Sequence, residues 1–261
     1  MRRWWNLVRK EWMAIKWFTL VAAVAIAGAD AYIAYRAPVW ADSLMNEALA
    51  ISVSCIPFPV LATVALLAGY MMMRSEWQHH TSLRLLSYPV SGAGVVSAKV
   101  AAATAAIILL AAVAGVGSLA VASRSPGTMT LLHPPDSPLY HMKPWEIAVS
   151  AATALLTALS WLAMTIAAGA FSFAVGTLVP RIAGLIAFAV YGLLAYLAAL
   201  YSPLAMYVAS FMPNPPVVLY ARNAIGIERV VAPMIPLWPM VAAAAALILV
   251  TGKLLDREVD A

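Results

Sequence analysis

Charge is scarce in this chain: Asp, Glu, Lys and Arg make up 10% of its residues, against roughly 25% in soluble domains. So few ionic groups cannot cover a water-facing surface, which excludes an ordinary soluble globular domain. There is a single cysteine, Cys55, so no disulfide framework can form within the chain. It reads as a small hydrophobe inside an apolar run. Catalytic signatures are missing too. No Gly-x-x-x-x-Gly-Lys-Ser/Thr loop cradles nucleotide phosphates and no His-Glu-x-x-His pair holds zinc. No Gly-x-Ser-x-Gly elbow presents a nucleophile. His79 and His80 are adjacent, so on a helix they point about 100 degrees apart and do not share one metal. His133 and His141, with Asp136 between them, match no zinc-ligand spacing. The expectation is a chain with no catalytic site, metal or cofactor of its own.

Acidic residues are fewer than basic ones, 11 against 16, for a formal charge of +5. Membrane topology and contact with anionic lipid account for that excess without nucleic acid. What the chain has in abundance is apolar sequence, 64% of residues, with a mean hydropathy of +0.88. Lipid offers the backbone no hydrogen-bond partners, so runs near 20 residues cross it as helices. Six such runs are present, at 17–35, 48–73, 96–122, 147–179, 182–207 and 237–254. Pro180 and Arg181 divide the fourth from the fifth, because proline ends the helical ladder and arginine resists burial in lipid. The expected fold is an all-α integral membrane protein, a single domain over 1–261.

Lysine and arginine favour the cytoplasmic side. With the amino terminus inside, Arg2, Arg3, Arg9, Lys10, Lys16, Arg74, Arg84, Lys99, Arg181, Lys253 and Arg257 fall there. Arg36, Arg124, Lys143, Arg222 and Arg229 are left outside. Both termini are therefore expected in the cytoplasm of a multi-pass plasma-membrane protein. In the segment 1–16, Trp4, Val8, Trp12 and Ile15 recur at helical spacing while the basic residues fall largely elsewhere. That pattern predicts a helix lying on the membrane; the alternative is a secretory signal peptide, with Ala29-Asp30-Ala31 as its small-residue region.

The external segment 123–146 holds Pro126, Pro134, Pro135, Pro138 and Pro144, and so is expected to be an irregular cap. Segment 209–236 is too apolar for a free loop. Two short re-entrant helices are expected there, with an amphipathic helix on the outer surface as the alternative. Asp30 is the one clear acid within a run. Either it lines a substrate path or it reaches the outer interface near Arg36. Thr157 and Ser160, among other hydroxyl residues of the fourth run, bond either their own helix or a ligand on the same path.

The remaining polar stretch, 74–95, lies between the second and third runs. Its residues form a spaced series: Glu76, then Thr81, Leu85 and Leu86, then Pro89-Val90-Ser91, then Lys99. An ordinary solvated loop is one reading. The series resembles the permease subunits of type 2 ABC transporters, in which this cytosolic segment tends to read Glu-x-x-x-Gly-Thr, paired leucines, Pro-Val-Ser and a lysine opening the third span. Here His80 stands in place of the usual glycine and Gly92 in place of the common arginine. The opening Leu7-Val8-Arg9-Lys10-Glu11-Trp12 is similar to that family's interfacial elbow helix, and 209–236 to its re-entrant helices before the last span.

The resemblance implies a membrane subunit that pairs with a second permease chain, as a homodimer or heterodimer, and with separate ABC ATPase subunits that bind ATP and Mg. Within 74–95 it implies a coupling helix whose Glu76, Thr81, Leu83, Arg84, Leu86 and Pro89 touch the ATPase. A hydrophobic or amphipathic substrate (drug, peptide or lipid-like) would then be exported. Two other readings stand beside this one. An ion-gradient-driven transporter needs buried acids along several spans, and only Asp30 fits. A membrane enzyme or accessory immunity protein needs polar groups clustered at one depth, and none is visible.

Overall fold

The computed structural model describes residues 2–40, 44–78, 91–124, 143–211, 217–223, 226–232 and 237–259. Seven helices fill most of them: α1 (Arg2–Trp40), α2 (Leu44–Ser54), α3 (Pro57–Gln78), α4 (Gly92–Arg124), α5 (Pro144–Thr177), α6 (Ala183–Ser210) and α7 (Leu237–Val259). Among the described residues, six stretches are long and apolar enough to cross a membrane: 3–39, 49–75, 92–124, 148–177, 180–210 and 237–256. The second of these joins α2 to α3 through a turn at Cys55 and Ile56. Pro57 and Pro59 follow directly, and their missing N–H groups explain the interruption.

Local chemistry sets the helix ends. Pro144 opens α5, and the buried Glu146 carboxylate accepts the Lys143 backbone N–H at 3.0 Å, the return half of a capping box. A 3-10 turn at Pro180–Ile182 reverses the chain into α6. Within α6, Pro203 has no N–H to give the Ala199 carbonyl, and the Ser202 hydroxyl donates to that oxygen at 3.0 Å instead.

Two expectations are corrected. The segment 1–16 is not a separate helix lying on the membrane, because α1 runs unbroken from Arg2 to Trp40. Its 39 residues extend about 58 Å, nearly twice the hydrocarbon thickness. No proline or glycine interrupts it before Gly28, and its first turns are held by α4, where Leu7 packs with Val95 and Ala98. Within 209–236, α6 runs on to Ser210, and residues 217–223 and 226–232 form strands, not re-entrant helices. β1 (Val217–Asn223) and β2 (Gly226–Ala232) pair antiparallel, Val217 opposite Ala232 and Asn223 opposite Gly226. Val217, Val218, Ile227, Val230 and Val231 supply β-branched residues, and prolines at 216 and 233 bound the hairpin, a pattern that suits strands better than helix.

The core lies where α3, α4, α5 and α7 meet, around Met73, Val96, Ile166 and Leu255. At the α3–α5 crossing, Gly69 lies against the Ile166 carbonyl, and a methyl on Gly169 would sit 3.1 Å from the Tyr70 nitrogen. Small residues there let two backbones touch, which is how helices gain packing energy where lipid removes the hydrophobic drive. Contacts between α1 and α4 rise together along both chains, Trp4 with Ser97, Glu11 with Lys99, Asp30 with Gly117. The two helices are therefore parallel.

Candidate functional site: the joint at the start of α4

Segment 79–90 lies outside the described residues, and with it Thr81, Leu83, Arg84, Leu86 and Pro89. Glu76 is in the last turn of α3. What is described is the machinery on which that segment ends. Ser91 stands at the N-cap of α4, its hydroxyl accepting the Gly94 N–H at 3.3 Å, as cap serines do. The Gly92 N–H, a further unsatisfied donor of the first turn, donates to the Asp256 carboxylate of α7 at 2.8 Å. That contact needs glycines on both sides: a methyl on Gly92 would meet the Gly252 carbonyl, and one on Gly252 would meet the backbone of Ala93.

Two turns into α4 lies the ion pair of the joint. Lys99 Nζ is 3.0 Å from Glu11 Oε2 of α1, with side-chain exposures of 5% and 11%. Lys99 also makes a further interaction and borders the core beside Met73 of α3 and Ile166 of α5. Two charges taken out of water are tolerable only when they satisfy each other. The Trp4 indole N–H adds a 2.9 Å bond to Ser97 Oγ. The first turns of α4 are thus tied to α1 through Glu11 and Trp4, and to α7 through Asp256.

The sequence singled out Lys99 but missed its partner. Glu11 was legible only as part of an opening motif, and Asp256 not at all; an acid among the basic residues of the segment 1–16 was the one available signal. Asp30 is buried against Gly117, and its Oδ2 has no hydrogen-bond partner. It lies 19 residues beyond Glu11 on the same helix, about 28 Å along the axis, close to one hydrocarbon thickness. The ion pair and Asp30 therefore occupy opposite sides of the span. Thr157 donates to the Thr153 carbonyl at 3.0 Å and Ser160 to the Leu156 carbonyl at 2.8 Å, so both hydroxyls serve their own helix.

Two large cavities flank the core. One of about 580 Å³ lies among α1, α3 and α4, walled by Phe18, Ala22, Val60, Val64 and Ile107. Another of about 760 Å³ lies chiefly among α5, α6 and α7, where Trp161, Thr165, Tyr191 and Tyr201 bring polar edges to an otherwise apolar wall. None of Asp30, Thr157 and Ser160 lines either one. No cluster of three or more His, Cys, Asp or Glu side chains suited to a metal occurs among the described residues.

These features define a multi-pass helical membrane protein whose third span is anchored at one end by a buried ion pair. Comparison with family models places it further: a model described as ABC-2 family transporter protein matches residues 7–142. The chain belongs to the ABC-2 transporter family, as a membrane component. The matched range contains both Glu11 and Lys99. Comparisons with curated proteins and with solved structures returned no match.

Proposed function

We propose that the chain is the permease subunit of an ATP-driven exporter. It forms the pathway for a hydrophobic or amphipathic substrate and works with a second permease chain and separate ATPase subunits that hold ATP and Mg. Both termini face the cytoplasm, and segment 74–95 seats on the ATPase through Glu76, Thr81, Leu83, Arg84, Leu86 and Pro89. The observation that carries this reading is the buried Glu11–Lys99 pair, found within a chain of this family. A segment pushed by an ATPase moves spans only if its exit helix is fixed to neighbours. Lys99 and Gly92 fix α4 to α1 and α7 within two turns of that exit. Closure of the ATPases would bias the spans between two arrangements by differential binding. The apolar cavities suit substrates with little charge.

The test is purification of the intact protein under mild conditions, followed by transport and ATP hydrolysis in vesicles. An ABC ATPase should copurify, and Arg84→Ala and Glu76→Ala should uncouple hydrolysis from transport without lowering membrane insertion. Transport that proceeds without ATP would overturn the reading. In that event the ion-driven alternative rests on Asp30, the buried carboxylate with an unpartnered oxygen, and Asp30→Asn should abolish the uptake.

A further inference from the structure

Along one side of α1, Trp12, Lys16, Leu20 and Ala23 recur every three or four residues and form a groove of about 270 Å³ with Leu109 of α4. Its two ends differ in chemistry. Below Lys16 the wall is apolar, and the one hydroxyl on it, Thr19, already donates to the Ile15 carbonyl at 3.0 Å. At the upper end, half-buried Lys16 lies 5.4 Å from the centre of the Trp17 ring. It makes no ion pair among the described residues, and the nearest acid in sequence, Glu11, is committed to Lys99. From Lys16 to Ala23 the helix rises about 10 Å, which fits within half of the roughly 30 Å hydrocarbon layer.

We propose that this groove binds one anionic phospholipid, its phosphate on Lys16 between the indoles of Trp12 and Trp17 and its acyl chain along Leu20, Ala23 and Leu109. The charge selects the headgroup, because a half-buried ammonium without a carboxylate partner is better compensated by a headgroup of net negative charge than by a zwitterionic one, whose own cation offsets its phosphate. The wall selects the tail. A peptide in the same place would set its backbone polar groups against a surface with no partner to offer them, whereas an acyl chain needs none. Indoles suit the interface for the same reason, with an apolar body for the tail and an N–H for the ester region. The site requires no ATPase, no substrate and no particular orientation of the chain, so it stands or falls apart from the exporter reading.

The experiment reconstitutes the full chain into vesicles of dioleoylphosphatidylcholine with a minor fraction of dioleoylphosphatidylglycerol, extracts it in mild detergent, and counts retained lipid by native mass spectrometry. Wild-type protein should retain phosphatidylglycerol in preference to phosphatidylcholine. Lys16→Gln should cut that retention about fivefold, the factor expected for one basic residue at an anionic surface, and Lys16→Arg should keep it. Ala23→Trp, which fills the groove and leaves every charge in place, should also abolish retention. The double variant Arg9→Gln/Lys10→Gln removes two exposed charges of α1 outside the groove and should leave retention within twofold of wild type. Equal retention of both lipids overturns the site, as does loss in the Arg9/Lys10 variant matching that of Lys16→Gln, or indifference to Ala23→Trp.

Discussion

Removing one member of the Glu11–Lys99 pair leaves the other charge buried. Both side chains are far below one-third exposed, at 11% and 5%, so solvent screening does not soften the loss as it would at a surface. Lys99→Met strands the Glu11 carboxylate and should cost about 3 to 5 kcal/mol. Glu11→Leu removes the carboxylate that the buried ammonium pairs with and should fall in the same range. Glu11→Gln keeps a carbonyl acceptor at the same position and loses only the charge, about 1.5 to 3 kcal/mol. The double variant Glu11→Leu/Lys99→Met removes both charges of the pair and, well packed, should recover most of the deficit. Chemical unfolding in lipid nanodiscs, followed by tryptophan fluorescence, measures all four; Trp4 and Trp12 lie within a few residues of Glu11 in sequence. The decisive quantity is the coupling energy of the cycle. A value below about 0.5 kcal/mol, with both single variants near wild type, is what independent sites give and would refute the joint.

Gly117 lies so close to Asp30 that an added methyl would overlap the carboxylate. Gly117→Ala should therefore destabilise by about 1 to 3 kcal/mol, and Asp30→Ala in the same chain should restore most of that loss, as read by the same unfolding assay; additivity of the two would show that they do not touch. Asp256→Ala removes the acceptor from the first turn of α4 and should cost about 1 kcal/mol, with Asp256→Asn losing less. Amide hydrogen exchange at Gly92 should accelerate in the alanine variant, and unchanged protection there would exclude the cap.

The six apolar stretches were legible because hydropathy is a local property and a lipid-embedded backbone has few ways to satisfy itself. The proline-bounded reversal at 180–182 was legible for the same reason. The hairpin at 217–232 was misread as helix because apolar residues between prolines carry no clear period, and the β-branched character of Val217, Val218, Val230 and Val231 was the discriminating signal. The opening helix was read as lying flat because Trp4, Val8, Trp12 and Ile15 form an apolar stripe. In the folded chain part of that side meets α4, through Trp4 and Leu7. Glycine content by itself is a mixed guide to packing: Gly69, Gly169, Gly176 and Gly252 lie in close helix contacts, whereas Gly192 faces open space.

Sequence alone determined that this chain is a multi-pass membrane protein with six apolar stretches. It also showed that Lys99 opens the third span. Tertiary structure decided which groups meet: Glu11 with Lys99 across 88 residues and Gly92 with Asp256 across 164. Hydropathy fixes how deep a helix sits but carries no information about its rotation or its neighbours, and a buried charge finds its partner through those two alone.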